Sequence, residues 1–157
     1  MSFIKTDKVK GVLEALKALT GKQVLIGITE GTESREDGPI NNASLGYIHE
    51  TGSPINNIPA RPWLVPGVES KKPQLAALLK ASATAALEGN SIKSDAKLNQ
   101  AGLEGQSSAQ EKIRNGPFTE LAEKTLQARR RRGVTREKPL IDTGKLLASV
   151  TYVIRKK

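Results

Sequence analysis

Two short runs rich in β-branched residues stand near opposite ends of the sequence, and helical patterns fill most of the chain between them. Residues 22–29 and residues 149–154 both have the composition of a β-strand. Two strands that bracket a set of helices predict an α+β fold with a small β-sheet and long packed helices. The last strand would pair within the chain or across a subunit boundary. A length of 157 residues suits one domain, so the sequence predicts a single domain over residues 1–157.

Five segments show helical spacing of apolar residues or lie between clear helix breakers. We predict helices over residues 6–19, 43–50, 68–87 and 91–114, and from a cap at Thr119 to the arginines at 129–132. Asn42 is the predicted N-cap of the second helix. Gly102 and Gly105 disfavour an unbroken helix in the fourth segment, because glycine has a low helix propensity. Residues 30–42 are rich in Gly, Glu, Ser, Asp, Pro and Asn, which predicts a loop.

A proline-dense segment, residues 53–67, interrupts these helices; its prolines are Pro54, Pro59, Pro62 and Pro66. Each proline removes a backbone N–H donor and restricts the residue before it, so we expect no regular structure here. We call this segment the Pro-rich arm. Its stiffness lowers the entropy cost of fixing it against a partner. We predict that the arm docks on another surface and that Trp63 is its aromatic anchor.

The composition narrows the classes of protein that the chain can represent. Apolar residues make up 37% and aromatic residues 3%, so we expect a thin core and apolar surface that is buried only against other subunits. The absence of cysteine excludes disulfides, thiolate nucleophiles and cysteine-based zinc sites. No apolar run is long enough for a signal peptide or a membrane helix, so we expect no membrane partner and a protein that stays where it is made.

Positive charge is concentrated in the basic C-terminal third, residues 111–157. This third holds 13 Lys and Arg against 5 Asp and Glu, whereas residues 1–110 hold 12 against 11. Much of the excess comes from one basic cluster: Arg129, Arg130, Arg131, Arg132, Arg136 and Lys138. The sequence leaves three uses of this cluster open, namely contact with DNA phosphates, pairing with acidic residues of a neighbouring subunit, and plain solvation.

The segment from Leu140 to Gly144 resembles the catalytic loop of retroviral-type aspartic proteases, through its Asp142-Thr143-Gly144 triplet. We expect no protease, because Lys145 stands where a small residue is usual and because that chemistry needs a β-rich barrel and a second carboxylate. We predict instead that Asp142 or Thr143 caps a short helical turn and that Gly144 relieves a tight backbone.

His49 followed by Glu50 invites a metal-binding interpretation, but His49 is the only histidine in the chain. The pattern of two histidines on one helix face therefore cannot form. A hydrogen-bonded structural histidine beside Tyr47 and Trp63 is the simpler interpretation. We predict no catalytic residue, no metal and no cofactor.

Two parts of the chain together resemble a signature of phage neck and tail-completion proteins. The first part is the pattern Tyr47, apolar, His49-Glu50, Thr51, Gly52, followed by Ile58-Pro59-Ala60-Arg61-Pro62-Trp63-Leu64. The second part is residues 138–146 followed by residues 149–152, which are similar to the closing segment of the same proteins. These are the lambda-type minor tail protein Z, related tail-completion families, and the virion-morphogenesis family of Mu-like phages. Thr51 departs from the pattern, because an aromatic residue is commoner there.

The resemblance implies a non-enzymatic virion protein, assembled in the host cytoplasm, that forms a ring at the neck or the head-proximal end of the tail. Such a head–tail connector would form a six-fold or twelve-fold homo-oligomer. Its neighbours would be adaptor or portal-side proteins, the tail terminator or tail tube, and genomic DNA in the channel. The alternative is a sequence-nonspecific DNA-binding protein that uses the basic C-terminal third.

The resemblance also implies roles for individual residues. Residues with an inter-subunit or docking role would be Tyr47, His49, Glu50, Ile58, Pro59, Arg61, Pro62, Trp63 and Leu64. Residues that build turns would be Gly52, Asp142, Thr143 and Gly144. If the ring encloses the DNA channel, the basic cluster would line it without reading sequence.

Overall fold

The computed structural model describes residues 6–29 and 40–156, with side chains from residue 9 onward. Most of the predicted loop over residues 30–42 lies outside the described residues. The elements are α1 (Thr6–Thr20), β1 (Lys22–Ile28), α2 (Asn42–Thr51), a 3-10 turn (Pro54–Asn56), α3 (Leu64–Glu69), α4 (Lys72–Leu87), α5 (Ser91–Asn115), α6 (Glu123–Arg131), α7 (Lys145–Ser149) and β2 (Val150–Lys156). Strands β1 and β2 pair in a two-stranded antiparallel sheet. The predicted α+β fold is confirmed.

The Pro-rich arm contains more regular structure than predicted. It includes the 3-10 turn, and α3 begins inside it at Leu64. Pro66 is compatible with a helix here because it lies in the first turn, where a backbone N–H has no partner within the helix. The prediction of a single helix over residues 68–87 is also wrong. This segment belongs to two helices, the end of α3 and the whole of α4, and Pro73 lies in the first turn of α4.

Three predicted helix caps are wrong. Asn41 caps α2 instead of Asn42, since its side-chain oxygen accepts a hydrogen bond from the Ser44 N–H at 2.7 Å. Helix α6 begins at Glu123, after Ala122, and not at Thr119. Helix α7 has Gly144, with a φ of 86°, at its N-cap position instead of Asp142 or Thr143.

The chain divides into two compact units. Unit 1 comprises Met1–Ile26, Lys71–Gly105 and Tyr152–Lys157, and unit 2 comprises Gly27–Ser70 and Gln106–Thr151. The single domain predicted from length stays a prediction.

Unit 1 contains α1, α4 and the first part of α5, and α1 packs against α4. Helix α5 is unbroken in spite of its glycines. A Cβ atom at Gly102 would overlap the ring of Tyr152, and one at Gly105 would overlap the Ile26 side chain. The two glycines therefore let side chains of the strands approach the helix closely.

Unit 2 contains the hydrophobic core. Its buried members are Trp63, Ala109, Ile113, Leu140, Leu146 and Val150. Gly67 of α3 allows close contact with α5, since a Cβ atom there would lie 2.9 Å from the Ala109 Cα. Gly46 of α2 likewise makes room for Trp63 and Ile28.

Candidate functional site

Unit 2 contains a cavity of about 740 Å³ that brings together the two parts of the chain carrying the family resemblance. Its apolar wall includes Ile40, Leu45, Ile58, Leu121, Leu140 and Leu146. Its ionisable residues are His49, Arg61, Glu120, Arg129 and Asp142. We call it the arginine cavity, because two buried arginines lie on its wall.

Arg61 is only 5% exposed although it belongs to the Pro-rich arm. Its Nε donates to the Thr119 carbonyl at 2.9 Å and its Nη2 donates to the Glu120 carbonyl at 3.1 Å. Its backbone N–H donates to the His49 carbonyl at 2.7 Å. Burial lowers the pKa of the Arg61 guanidinium, and the positive charge of Arg129 lowers it further. Arg61 therefore holds the segment before α6 against the arm.

Arg129 is also only 5% exposed, which corrects its assignment to a surface that faces DNA or a partner. Its Nη1 donates to three backbone carbonyls, those of Arg136, Lys138 and Ile141, at 2.8, 2.9 and 3.3 Å. Burial lowers its pKa, the Asp142 carboxylate raises it, and Arg132 lowers it. Arg129 organises the loop between α6 and α7.

Asp142 is engaged by the basic cluster and does not cap a helix. Arg132 Nη2 donates to its Oδ2 at 2.8 Å, and Arg129 Nε lies 3.7 Å from its Oδ1. Thr143 comes closest to the predicted capping role, since its Oγ1 accepts from the Lys145 N–H at 3.4 Å. Next to these residues, Leu140 has a φ of 65°, a left-handed conformation that few bulky residues adopt.

Most of the remaining basic cluster also has partners within the chain. Arg130 pairs with Glu137 at 3.1 Å and with Glu123 at 3.4 Å. Arg136 donates to the Asp142 carbonyl at 3.2 Å, and Lys138 donates to the Arg114 carbonyl at 3.1 Å. The Arg131 side chain is exposed and makes no hydrogen bond or ion pair within residues 6–29 and 40–156. Of these side chains, Arg130 faces opposite charges, whereas the carbonyl contacts hold Arg136 and Lys138 in place without neutralising them.

Glu50 supports the start of α3. Its carboxylate accepts hydrogen bonds from three consecutive backbone N–H groups, those of Trp63, Leu64 and Val65, at 2.6, 2.8 and 3.0 Å. These are among the orphan donors of the first turn, which a helix cannot satisfy by itself. Glu50 therefore has a structural role within its own chain, in place of the docking role that was predicted for it.

The predicted role of Trp63 as a docking anchor is also wrong, because Trp63 is only 2% exposed and belongs to the core of unit 2. Its indole Nε1 donates to the Gly46 carbonyl at 3.2 Å, and its side chain belongs to an apolar cluster with Ile113 and Val150. A side chain buried in its own chain cannot anchor the arm on another subunit. Tyr47 is 70% exposed, and His49 lies on the cavity wall.

Gly52 builds a turn as predicted, with a φ of 77°. A Cβ atom there would lie 2.8 Å from the Ala60 backbone nitrogen, so only glycine fits. Of the predicted docking residues, Tyr47, Pro59 and Pro62 are exposed, and Ile58 and Leu64 are half-buried. The exposed surface of the arm includes Pro54, Pro59 and Pro62, which we call its proline edge, together with Ile55 and Val65.

The described residues include no group of three or more His, Asp or Glu side chains that could hold a metal ion. No described helix is both long and apolar enough to cross a membrane. Comparison with protein-family models, with characterised proteins and with solved structures finds no match to this chain.

The sequence did not indicate that Thr119 and Glu120 belong to the site. Both contribute backbone carbonyls, which any residue carries, so side-chain chemistry gives no signal for them. The helix-breaking pair Gly116-Pro117 indicates only that α5 ends there.

Proposed function

We propose that this chain is a structural virion protein of a tailed bacteriophage. It would form a homo-oligomeric ring at the neck or the head-proximal end of the tail, complete the tail and support head–tail joining. The partners would be sister copies, adaptor or portal-side proteins, and the tail terminator or tail tube.

The observation that carries this proposal is the exposed apolar face of α1. Four aliphatic side chains at helical spacing remain 40–60% exposed: Val9, Val12, Leu13 and Leu16. A contiguous apolar stripe of this kind marks a protein-interaction surface. A closed ring needs two different complementary surfaces on each subunit, and the proline edge of the arm offers a second one.

The arginine cavity supports the same proposal in a different way. The two segments that resemble neck proteins lie far apart in sequence, yet both line this cavity. A resemblance that arose by chance would have no reason to concentrate at one place in the fold. The engagement of Asp142 by two arginines also leaves it poorly suited to an aspartic dyad, which needs two carboxylates that share a proton.

We do not propose sequence-nonspecific DNA binding as the main role. Arg129 is buried, and Arg130 and Arg132 are paired with acidic side chains. Phosphate binding would have to compete with these ion pairs. DNA in the channel would meet exposed residues such as Arg131 only as a backbone contact.

Light scattering coupled to size-exclusion chromatography tests the proposal on the full chain. We expect a multimer with the mass of a closed ring, or a monomer that becomes a ring on isolated tails. Mass spectrometry of purified particles should also detect the protein. A chain that stays monomeric under both conditions and is absent from finished particles would overturn the proposal.

A further inference from the structure

Arg61 is a buried cation without an acidic partner in the described part of the chain. Both hydrogen bonds of its guanidinium go to backbone carbonyls, and no described carboxylate lies within 4.0 Å of it. Removing a charge from water is costly unless an opposite charge replaces the lost hydration. Carbonyl dipoles offset only part of that cost, so the site suits an additional anion.

The other charged residues of the arginine cavity do not supply this anion. Arg129 is a second buried cation, and its carboxylate partner Asp142 is shared with Arg132. Glu120 is the remaining acidic residue on the wall. It is exposed, and its carboxylate makes no ion pair within residues 6–29 and 40–156.

The wall of the cavity indicates what kind of anion it would take. Its remaining surface is largely aliphatic, with Leu45, Ile58 and Leu121 among its residues, and its volume of about 740 Å³ is that of a ligand pocket. A DNA backbone offers phosphates and hydrated sugars, and it has no aliphatic side chain long enough to fill such a space. A planar guanidinium matches the geometry of a carboxylate, which makes an apolar peptide with an acidic side chain the better fit.

We infer that the arginine cavity binds a carboxylate carried on an apolar peptide segment of a partner protein, and that Arg61 receives that carboxylate. The inference goes beyond the proposed ring, because the cavity lies within unit 2 of a single chain. It can be tested on the isolated protein whether or not the protein assembles.

Three synthetic peptides test the inference without any change to the protein: acetyl-Leu-Glu-Leu-amide and its counterparts with Gln or Lys at the centre. Binding to the full chain would be followed by titration of the backbone NMR signals of Thr119 and Glu120. We expect the Glu peptide to bind, the Gln peptide to bind about tenfold more weakly or worse, and the Lys peptide not to bind. Equal binding of all three, or binding of none, would overturn the inference.

A short DNA duplex provides the competing arm of the same titration. We expect the duplex to leave the signals of Thr119 and Glu120 unchanged at concentrations where the Glu peptide shifts them. A duplex that shifts these signals and displaces the Glu peptide would show that the cavity takes phosphate, and the inference would fail.

The variant Arg61→Gln tests the residue assignment, with Lys124→Gln as a control that removes one exposed positive charge from α6. We expect Arg61→Gln to bind the Glu and Gln peptides equally, and the control to keep the preference for Glu. If Arg61→Gln does not fold, Arg61→Lys takes its place and should weaken the Glu peptide severalfold, because an ammonium cannot bind a carboxylate bidentately. A folded variant that keeps the full preference would refute the role of Arg61.

Discussion

Units 1 and 2 differ in what they bury. Unit 2 encloses large side chains, including Trp63, Ile113 and Val150, each at most 2% exposed. Among residues of unit 1 whose side chains the structure describes, the buried ones are small or polar apart from Leu98, and two of them are Ser82 and Ser94. The Ser82 hydroxyl donates to the Ser94 carbonyl at 2.9 Å, so even the buried interior of unit 1 relies on polar contacts.

This difference separates a region that is stabilised by its own core from a region that leaves its apolar surface in water. Burial of apolar area stabilises a fold by about 25 cal/mol per Å², and α1 leaves much of that contribution unused in the isolated chain. We infer that unit 2 provides the stability of the subunit. Unit 1 provides the apolar surface through which copies would associate.

Trp63→Ala should have the largest effect and break the core of unit 2. We expect a loss of about 3–5 kcal/mol in the free energy of unfolding, because a large cavity forms and the indole hydrogen bond to Gly46 is lost. Urea denaturation measures it. Leu87→Ala, at a half-exposed position of unit 1, is the control and should cost far less. Equal losses would contradict the contrast between the two units.

Arg129→Gln should have the next largest effect. Three backbone carbonyls of the loop between α6 and α7 lose their donor, and Asp142 loses a neighbouring positive charge. We expect a loss of about 3 kcal/mol. Arg131→Gln, two residues away and exposed, is the matched control and should change stability by less than about 0.5 kcal/mol. Thermal unfolding of both variants measures this difference. Equal losses in the two variants would contradict the structural role of Arg129.

Glu50→Ala should lower stability by about 2 kcal/mol, because three N–H groups at the start of α3 lose one shared carboxylate. Glu69→Ala, in the last turn of α3 and exposed, removes the same charge without those hydrogen bonds. Hydrogen exchange at Leu64 and Val65 should accelerate only in the Glu50 variant. Unchanged protection there would show that the carboxylate does not cap the helix.

These variants also show which parts of the structure the sequence could predict. Helix α1 and both strands follow from spacing and β-branched composition, which act locally. The extent of α5 also follows, but its two glycines wrongly predicted an interruption. The roles of Arg61, Trp63 and Arg129 depend on which distant backbone comes near each side chain, and no local pattern encodes that. The prediction that the arm has no regular structure was wrong because a proline in the first turn of a helix is as compatible with a helix as with irregular structure.

Gly102→Ala tests the close packing of Tyr152 against α5 in unit 1. The added methyl group would overlap the rigid Tyr152 ring, so we expect a loss of about 1–2 kcal/mol in the free energy of unfolding, measured by urea denaturation.

Gly11→Ala is the opposite case, since nothing lies within 4 Å of the new Cβ atom on α1. There the higher helix propensity of alanine should stabilise the protein by about 0.5–1 kcal/mol. A loss of stability in Gly11→Ala would contradict the open space around this position of α1.

The smallest effect on the isolated chain is expected from the double variant Val9→Gln and Leu13→Gln on the exposed face of α1. Both positions are more than half exposed, so the monomer should change by less than about 0.5 kcal/mol per site. Assembly should respond strongly, because those side chains would become buried between copies. Light scattering should show the multimer lost in this variant and kept in Lys10→Gln, an exposed polar position of the same helix. If the double variant assembled like the wild type, the contrast between the units would remain, but α1 would not be the ring surface.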